Sequence, residues 1–205
     1  MIKQRVIEQF QHPHGLLGRL AGRIMATRST NVERNRWIAA KLDAAPDARI
    51  LEIGHGPGVA IAELWPKLTT GHIDAVEVSD LMSRTAARRN RAGVEAGRVS
   101  FHVADSQQLP APLDGYDIIF GVNVSMFWSD PSATIAHLAD RLAPGGELVL
   151  VYMPPPTSDT PADAMAAELE ARFENVALTE VHHDTMPFEP PAVAVHGRRS
   201  IAAED

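Results

Sequence analysis

Gly54, Gly56 and Gly58 stand at alternate positions in the run Leu51-Glu52-Ile53-Gly54-His55-Gly56-Pro57-Gly58-Val59, after an apolar stretch with strand composition and before a helical pattern. Glycines so spaced let the main chain turn sharply, and they let a ligand lie against the backbone where a β-carbon would block it. The chemistry this predicts is the holding of a nucleotide-like ligand. Two details narrow it. Glu52 precedes the first glycine by two residues, and the spacing is Gly-x-Gly-x-Gly instead of Gly-x-Gly-x-x-Gly.

Two acids follow at strand ends. Glu77 closes the run Asp74-Ala75-Val76-Glu77-Val78, 19 residues beyond Gly58, where a carboxylate can accept both hydroxyl hydrogen bonds of an adenosine ribose. Asp105 closes Val103-Ala104-Asp105-Ser106 and is placed to accept from an adenine amino group. Further on come Tyr116-Asp117-Ile118-Ile119-Phe120 and Leu142-Ala143-Pro144-Gly145-Gly146-Glu147-Leu148, which complete an ordered set of five segments.

The elements that must position these residues alternate along the chain from about Arg49 onward. Strands are predicted at Ile50–Ile53, Ile73–Val78, Val99–Val103, Tyr116–Phe120, Leu148–Tyr152, Ala177–His182 and Ala192–Gly197, with helical patterns between the first five, as in a parallel α/β sheet. Asp130 and Pro131 open one helix, Ile135, Leu138 and Leu142 give it an apolar face, and Pro144-Gly145-Gly146 stops it. Thr160 and Pro161 open another, carried by Met165, Leu169 and Phe173. Ahead of the first strand, Ile2, Val6 and Phe10, then Leu16, Leu20 and Ile24, then the stretch from Asn31 through Trp37 to Leu42 recur with helical spacing. Residues 1–47 are therefore expected to form a helical extension, a lid on the acceptor side, and residues 48–205 the ligand-binding domain.

Composition sets outer limits. The 205 residues carry a net charge of -7, which argues against broad contact with nucleic-acid phosphates. Residues 1–41 hold eight Lys or Arg against Glu8 and Glu33, and this basic stretch is read as solvated helix faces or as an attraction for an anionic substrate or lipid surface. The absence of cysteine excludes disulfides, thiolate nucleophiles and cysteine zinc sites. No apolar run reaches membrane-spanning length and no secretory signal opens the sequence, so a cytoplasmic protein without integral membrane association is expected. His182, His183 and Asp184 are adjacent on a predicted strand and must point to alternate faces, so no metal site is expected there.

The five segments, in this order, resemble the class I (Rossmann-like) S-adenosylmethionine-dependent methyltransferases, specifically the small-molecule type that includes the quinone-biosynthesis C-methyltransferases. The resemblance spans about Ala48 to Tyr152 and, more loosely, the two tail strands. It implies an α/β fold with a doubly wound, mostly parallel seven-stranded sheet of order 3-2-1-4-5-7-6, strand 7 antiparallel, here with an N-terminal helical extension. It implies S-adenosyl-L-methionine as cofactor, leaving S-adenosyl-L-homocysteine. Gly54, Gly56 and Gly58 would lie against its amino-acid part with Glu52 organising the loop, Glu77 would hold the ribose, Asp105 with the Ser106 backbone would read the adenine, and Met82 would cover an adenine face. His55, Val78 and Gly121 complete the cofactor side, His55 standing where the family often has Cys or Ala.

The acceptor is expected to be a small molecule, with the acceptor atom open among oxygen, nitrogen and carbon and with catalysis mainly by proximity. His12 and His14, flanking Pro13, and Asn123, after the fourth strand, are the candidates for contact with it. Two other readings compete. A methyltransferase-like binding or regulatory protein without turnover would keep the same loop, whereas a nicotinamide-dependent oxidoreductase would want a catalytic Tyr-x-x-x-Lys, and neither Tyr116 nor Tyr152 has a lysine four residues on.

Overall fold

Runs of aliphatic residues that bury both faces become strands, and the segments between them coil where an apolar residue recurs each turn. The strands are β1 (Arg49–Ile53), β2 (His72–Glu77), β3 (Val99–Val103), β4 (Tyr116–Val122), β5 (Leu142–Tyr152), β6 (Leu178–Met186) and β7 (Ala192–Arg199). The helices are α1 (Ser29–Lys41), α2 (Val59–Leu64), α3 (Asp80–Arg89), α4 (Arg91–Glu95), α5 (Pro131–Ala139) and α6 (Ala162–Asn175), with a single 3-10 turn at Trp65–Lys67. This computed structural model describes residues 29–105, 109, 113–124, 131–153, 161–176, 178–187 and 191–201. His12, His14 and Ser106, and the first two amphipathic stretches of the predicted extension, lie outside the described residues.

The strands form one seven-stranded sheet of order β3-β2-β1-β4-β5-β7-β6. β2 runs parallel to β3 and β4 parallel to β5, while β7 is antiparallel to both β5 and β6. This is the doubly wound arrangement with a reversed seventh strand that the family resemblance implies.

Two compact units divide the chain, one within Met1–Ala48 and Glu52–Pro110, the other within Arg49–Leu51 and Ala111–Asp205. In the first, α1 packs on α2. Ile38, Ala39 and Leu42 are buried, and the Lys67 ammonium donates to the Ala39 carbonyl at 2.7 Å, tying the end of α1 to the 3-10 turn. In the second, α6 lies on β6 and β7, with Met165, Leu169 and Phe173 buried. Gly197 belongs to this contact, since a Cβ there would stand 2.7 Å from the Phe173 ring.

The structure corrects the boundary between α5 and β5. The spacing of Ile135, Leu138 and Leu142 places all three on a helix, yet α5 ends at Ala139 and Leu142 begins β5, paired with Tyr116. Pro144-Gly145-Gly146 is thus no helix stop. It lies inside β5, where the register jumps so that Ile118 pairs with Glu147. Gly145 has φ +79, and a Cβ on Gly146 would meet the Tyr116 carbonyl at 2.6 Å, so this bulge needs both glycines. Pro161 likewise stands at the cap of α6 with ψ 149, one residue before the helix, instead of at its first position. Among the described residues no helix is long and apolar enough to cross a membrane.

Candidate cofactor site

β1 and β2 are neighbours in the sheet, so the turn leaving β1 and the acid ending β2 arrive at the same edge. The Gly54 N–H donates to the Val76 carbonyl at 2.8 Å, which extends the pairing into the turn. The turn then folds back on itself with Gly54, Gly56 and Gly58 at φ 65, 50 and 70, values that glycine alone adopts without strain.

Gly56 and Gly58 use this freedom differently. A Cβ on Gly58 would lie 2.7 Å from Asn90 Nδ2 and 2.8 Å from Ala86 Cβ, so this glycine is required by packing against α3. A Cβ on Gly56 would meet nothing within 4 Å, so the space over the middle glycine is open.

Glu77 ties the turn together. Its Oε2 accepts from the Gly56 N–H at 3.2 Å and its Oε1 from the Ser79 N–H at 2.9 Å. A carboxylate oxygen accepts through two lone pairs, so the same group has the capacity to take ligand hydroxyls as well. Ser79 caps α3, its hydroxyl accepting from the Met82 N–H at 3.4 Å. The next position after Glu77 holds Val78, 42% exposed, and Glu77 pairs in register with Val103, which is 54% exposed. Two exposed valines beside a carboxylate give an apolar surface next to a hydroxyl-accepting group. Asp105, also exposed, follows two residues after Val103.

Beneath the turn the environment is different. Glu52 is 1% exposed and its Oε2 has no hydrogen-bond partner. Burial first, then the charge of Glu77, raises its carboxyl well above the usual carboxylate range. His55 is also buried, its ring edge-on to Phe101 with centroids 5.0 Å apart. Its Nδ1 lies 2.8 Å from the Gly56 carbonyl. A carbonyl only accepts, so Nδ1 carries the hydrogen and, in the neutral ring, Nε2 is a lone pair; that atom is buried with no partner. Burial lowers the imidazole to about 4, outweighing the backbone hydrogen bonds that favour its charged form.

Glu52, Gly54, His55, Gly56, Gly58, Glu77, Val78, Met82 and Asp105 all fall within the first unit. Met82 is 2% exposed and committed to the core, so it offers a ligand almost no surface. Gly121 and Asn123 belong to the second unit, Gly121 buried in β4. Asn123 has φ 53, its N–H donates to the Val151 carbonyl at 2.8 Å, and its Oδ1 accepts from the Met153 N–H at 2.7 Å. Its side-chain oxygen therefore caps the end of β5.

The other described histidines find protein partners. His102 Nε2 is 2.8 Å from Asp74 Oδ1, and His72 Nε2 is 2.9 Å from Ser100 Oγ. His183 Nδ1 is 2.8 Å from Glu170 on α6, while the His182 ring stacks on His196 with centroids 4.8 Å apart, so the two neighbours do point to opposite faces. Among the described residues no three His, Asp or Glu side chains are arranged to hold a metal ion.

Two residues of the site escape sequence reasoning. Asn90 is 1% exposed, and its Nδ2 donates to the carbonyls of Gly58 and Ala86, both at 3.0 Å, so it clamps the third glycine. Nothing local marks it, because Arg89-Asn90-Arg91 reads as one more polar helix face. Val103 looks like any strand residue; only its place at the carboxyl end of β3, where ligands of such sheets sit, distinguishes it.

Residues 50–146 match the family model described as a methyltransferase domain. The chain is 27% identical over 171 residues to the uncharacterized methyltransferase YdaC of Bacillus subtilis, covering 77% of this chain and 91% of that protein. It is 28% identical over 129 residues to the ubiquinone/menaquinone biosynthesis C-methyltransferase UbiE of Shewanella halifaxensis, across 60% of this chain and 50% of that protein, so it matches about half of that longer relative. Its fold is shared with a SAM-dependent methyltransferase from Aquifex aeolicus, with a TM-score of 0.66 at 14% identity over 84% of this chain and 94% of that one. The glycine turn closed by a strand-end acid, the sheet order with its reversed last strand and the matched domain agree: the chain is similar to the class I, Rossmann-like S-adenosylmethionine-dependent methyltransferases, and residues 50–146 carry the methyltransferase-domain match.

Proposed function

We propose that the protein binds S-adenosyl-L-methionine on the first unit and transfers its methyl group to a small-molecule acceptor, leaving S-adenosyl-L-homocysteine. The observation that carries this reading is Glu77, whose carboxylate joins the Gly56 and Ser79 N–H groups beside the exposed Val78 and Val103. That arrangement suits an adenosine, with a hydroxyl-accepting group next to an apolar surface. The fit extends to the amino-acid end, where the space over Gly56 is open and Glu52 keeps a buried, unpartnered oxygen close by in the sequence.

In this reading the Gly54–Gly58 turn receives the amino-acid part, Glu52 and His55 support the turn from below, and Glu77 accepts the ribose hydroxyls. Asp105 with the Ser106 backbone reads the adenine between Val78 and Val103, while Met82 backs that surface from within α3 and Gly121 lines the fourth strand. Residues 1–47 act as the acceptor-side extension, with His12 and His14 touching the acceptor. Asn123, its oxygen engaged with Met153, offers only its amide N–H groups.

When bound, the cofactor supplies an electrophilic methyl carbon. The task left to the chain is to hold cofactor and acceptor in line, and fixing two reactants in this way supplies about 7 to 11 kcal/mol. A thermal-shift comparison tests the proposal. S-adenosylhomocysteine at about 100 times its dissociation constant should add roughly 2.7 kcal/mol, a rise in Tm on the order of 5 to 11 °C for a chain of this size. Stabilisation by NAD with none from S-adenosylhomocysteine would overturn it.

A further inference from the structure

Glu52 is a carboxyl group at the second-last position of β1, 1% exposed, and its Oε2 makes no hydrogen bond. That oxygen lacks both water and donors, and in that condition the charged form of the group is far costlier than the neutral acid. Two titratable groups bear on it. Glu77, from the end of β2, is a like charge that acts on Glu52 directly, and its own negative form is stabilised by two backbone N–H donors. His55, in the turn that follows, is a neutral imidazole with its Nδ1 hydrogen given to Gly56. Neither supplies the positive charge that an ionised Glu52 would need.

Resting on the cofactor reading above, we propose that Glu52 is the charge sensor of this site: it holds a proton while no cationic ligand is present, releases it when one binds on the glycine turn, and thereby favours the cationic cofactor over the neutral product. In the step, the carboxylic O–H bond breaks, its electron pair stays on the Glu52 oxygen and the proton passes to the buffer. The two ligands differ in the property that Glu52 reads. S-adenosylmethionine combines a carboxylate, an ammonium and a sulfonium for one net positive charge, whereas S-adenosylhomocysteine has lost the sulfonium and carries none. A positive charge brought to a buried carboxyl stabilises its ionised form and, by linkage, the carboxylate stabilises the bound cation. Burial and charge both act in the direction this requires, since Glu52 lies well above the ordinary carboxylate range. Product that has given up its methyl group is then held less tightly than fresh cofactor.

The test is titration calorimetry on the full chain at pH 7 in two buffers of different ionisation enthalpy, with S-adenosylhomocysteine and with sinefungin, an unreactive cofactor analogue whose amine replaces the sulfonium. Sinefungin should release close to one proton per site and S-adenosylhomocysteine far less. Glu52→Gln should bind both without that difference and should lose roughly tenfold of its preference for the cationic ligand, as loss of a contact to a charged group commonly does. An infrared measurement on wild type does not depend on the variant's folding: the band of a protonated carboxylic acid should disappear on adding sinefungin and persist with S-adenosylhomocysteine. Equal proton release in wild type and Glu52→Gln, or a carboxylic acid band that sinefungin leaves unchanged, overturns the charge-sensor role while leaving the cofactor reading intact. Failure of both ligands to bind sinks the cofactor reading and this proposal together.

Discussion

The two units bury polar groups on different terms. In the first, Glu52, His55 and Asn90 each retain a buried atom without a partner, and they surround a turn with three residues at positive φ. In the second, His196 Nε2 is also without a partner, but the half-buried carboxylate of Glu147 is answered. Glu147 Oε1 stands 2.9 Å from His196 Nδ1, Arg198 lies 3.6 Å from the other oxygen, and His182 stacks over His196. Burial acts to raise Glu147, but the hydrogen bond and charge of His196, with Arg198 and His182, prevail and hold it below the usual carboxylate range. The contrast is between two carboxyl groups: Glu52 Oε2 meets neither donor nor cation, whereas Glu147 meets both.

The sharpest way to break this contrast is at the glycines. Gly58→Ala forces a Cβ to 2.7 Å from Asn90 at φ +70, so it should cost about 3 kcal/mol or more and abolish S-adenosylhomocysteine binding. Gly145→Ala, at φ +79 with Ile201 3.3 Å away, should cost only about 1 to 2 kcal/mol and leave binding unchanged. Denaturant melts with calorimetry on both variants would decide it; equal loss of binding would mean that the second unit shares the ligand's demands.

Acid titration comes next in size. The unfolded chain protonates His55 at its ordinary 6.5, the folded chain only near about 4, so the unfolded state binds the extra proton between those values. The His55 contribution is therefore complete above pH 6.5 and falls by about 3 kcal/mol as the pH drops to 4. Glu52, which keeps its proton in the folded chain, acts with the opposite sign above 4.5, so the His55 limb is read as the difference between wild type and a His55 variant. His55→Phe keeps the ring against Phe101 and should remove that contribution, lowering the slope of stability against pH between 4 and 6.5, and an unchanged slope in urea melts would place the sensitivity elsewhere. Glu147 has the opposite origin. Its folded value is depressed, so its contribution is present above the ordinary 4.5 and is lost only as the pH falls through the lower folded value. Glu147→Gln should cost about 1 to 3 kcal/mol at pH 7 and steepen nothing between pH 6.5 and 5. A loss confined to that window would assign the limb to the second unit.

Much of this architecture is legible in the amino-acid sequence. Regular alternation of apolar runs with helical stretches predicts all seven strands, and the glycine spacing with Glu77 marks the turn after β1 and the end of β2 that the structure joins, because backbone freedom and strand-end position are local properties. Leu142 misleads because the first residue of a strand can fall by chance on a helical period, and only its pairing with Tyr116 decides between the two. His55 is legible as a departure from the family's small residue, but its destination under the turn is not, since that depends on Phe101 from β3. Asn90 is invisible for the same reason: its role is set by a carbonyl 32 residues away.

Among the described residues β6 is the last strand of the sheet, so one row of its N–H and C=O groups has no further described strand to meet. At Glu180, φ 53, the register with β7 shifts between Thr179 and His182, which twists the strand locally, and Glu180, His182 and His183 stand exposed along it. An extended strand from another molecule needs a flat, evenly spaced edge to add to. A kinked border lined with ionisable groups refuses that template, so crowding of many copies in a cell or a concentrated sample should not extend the sheet through its β6 border.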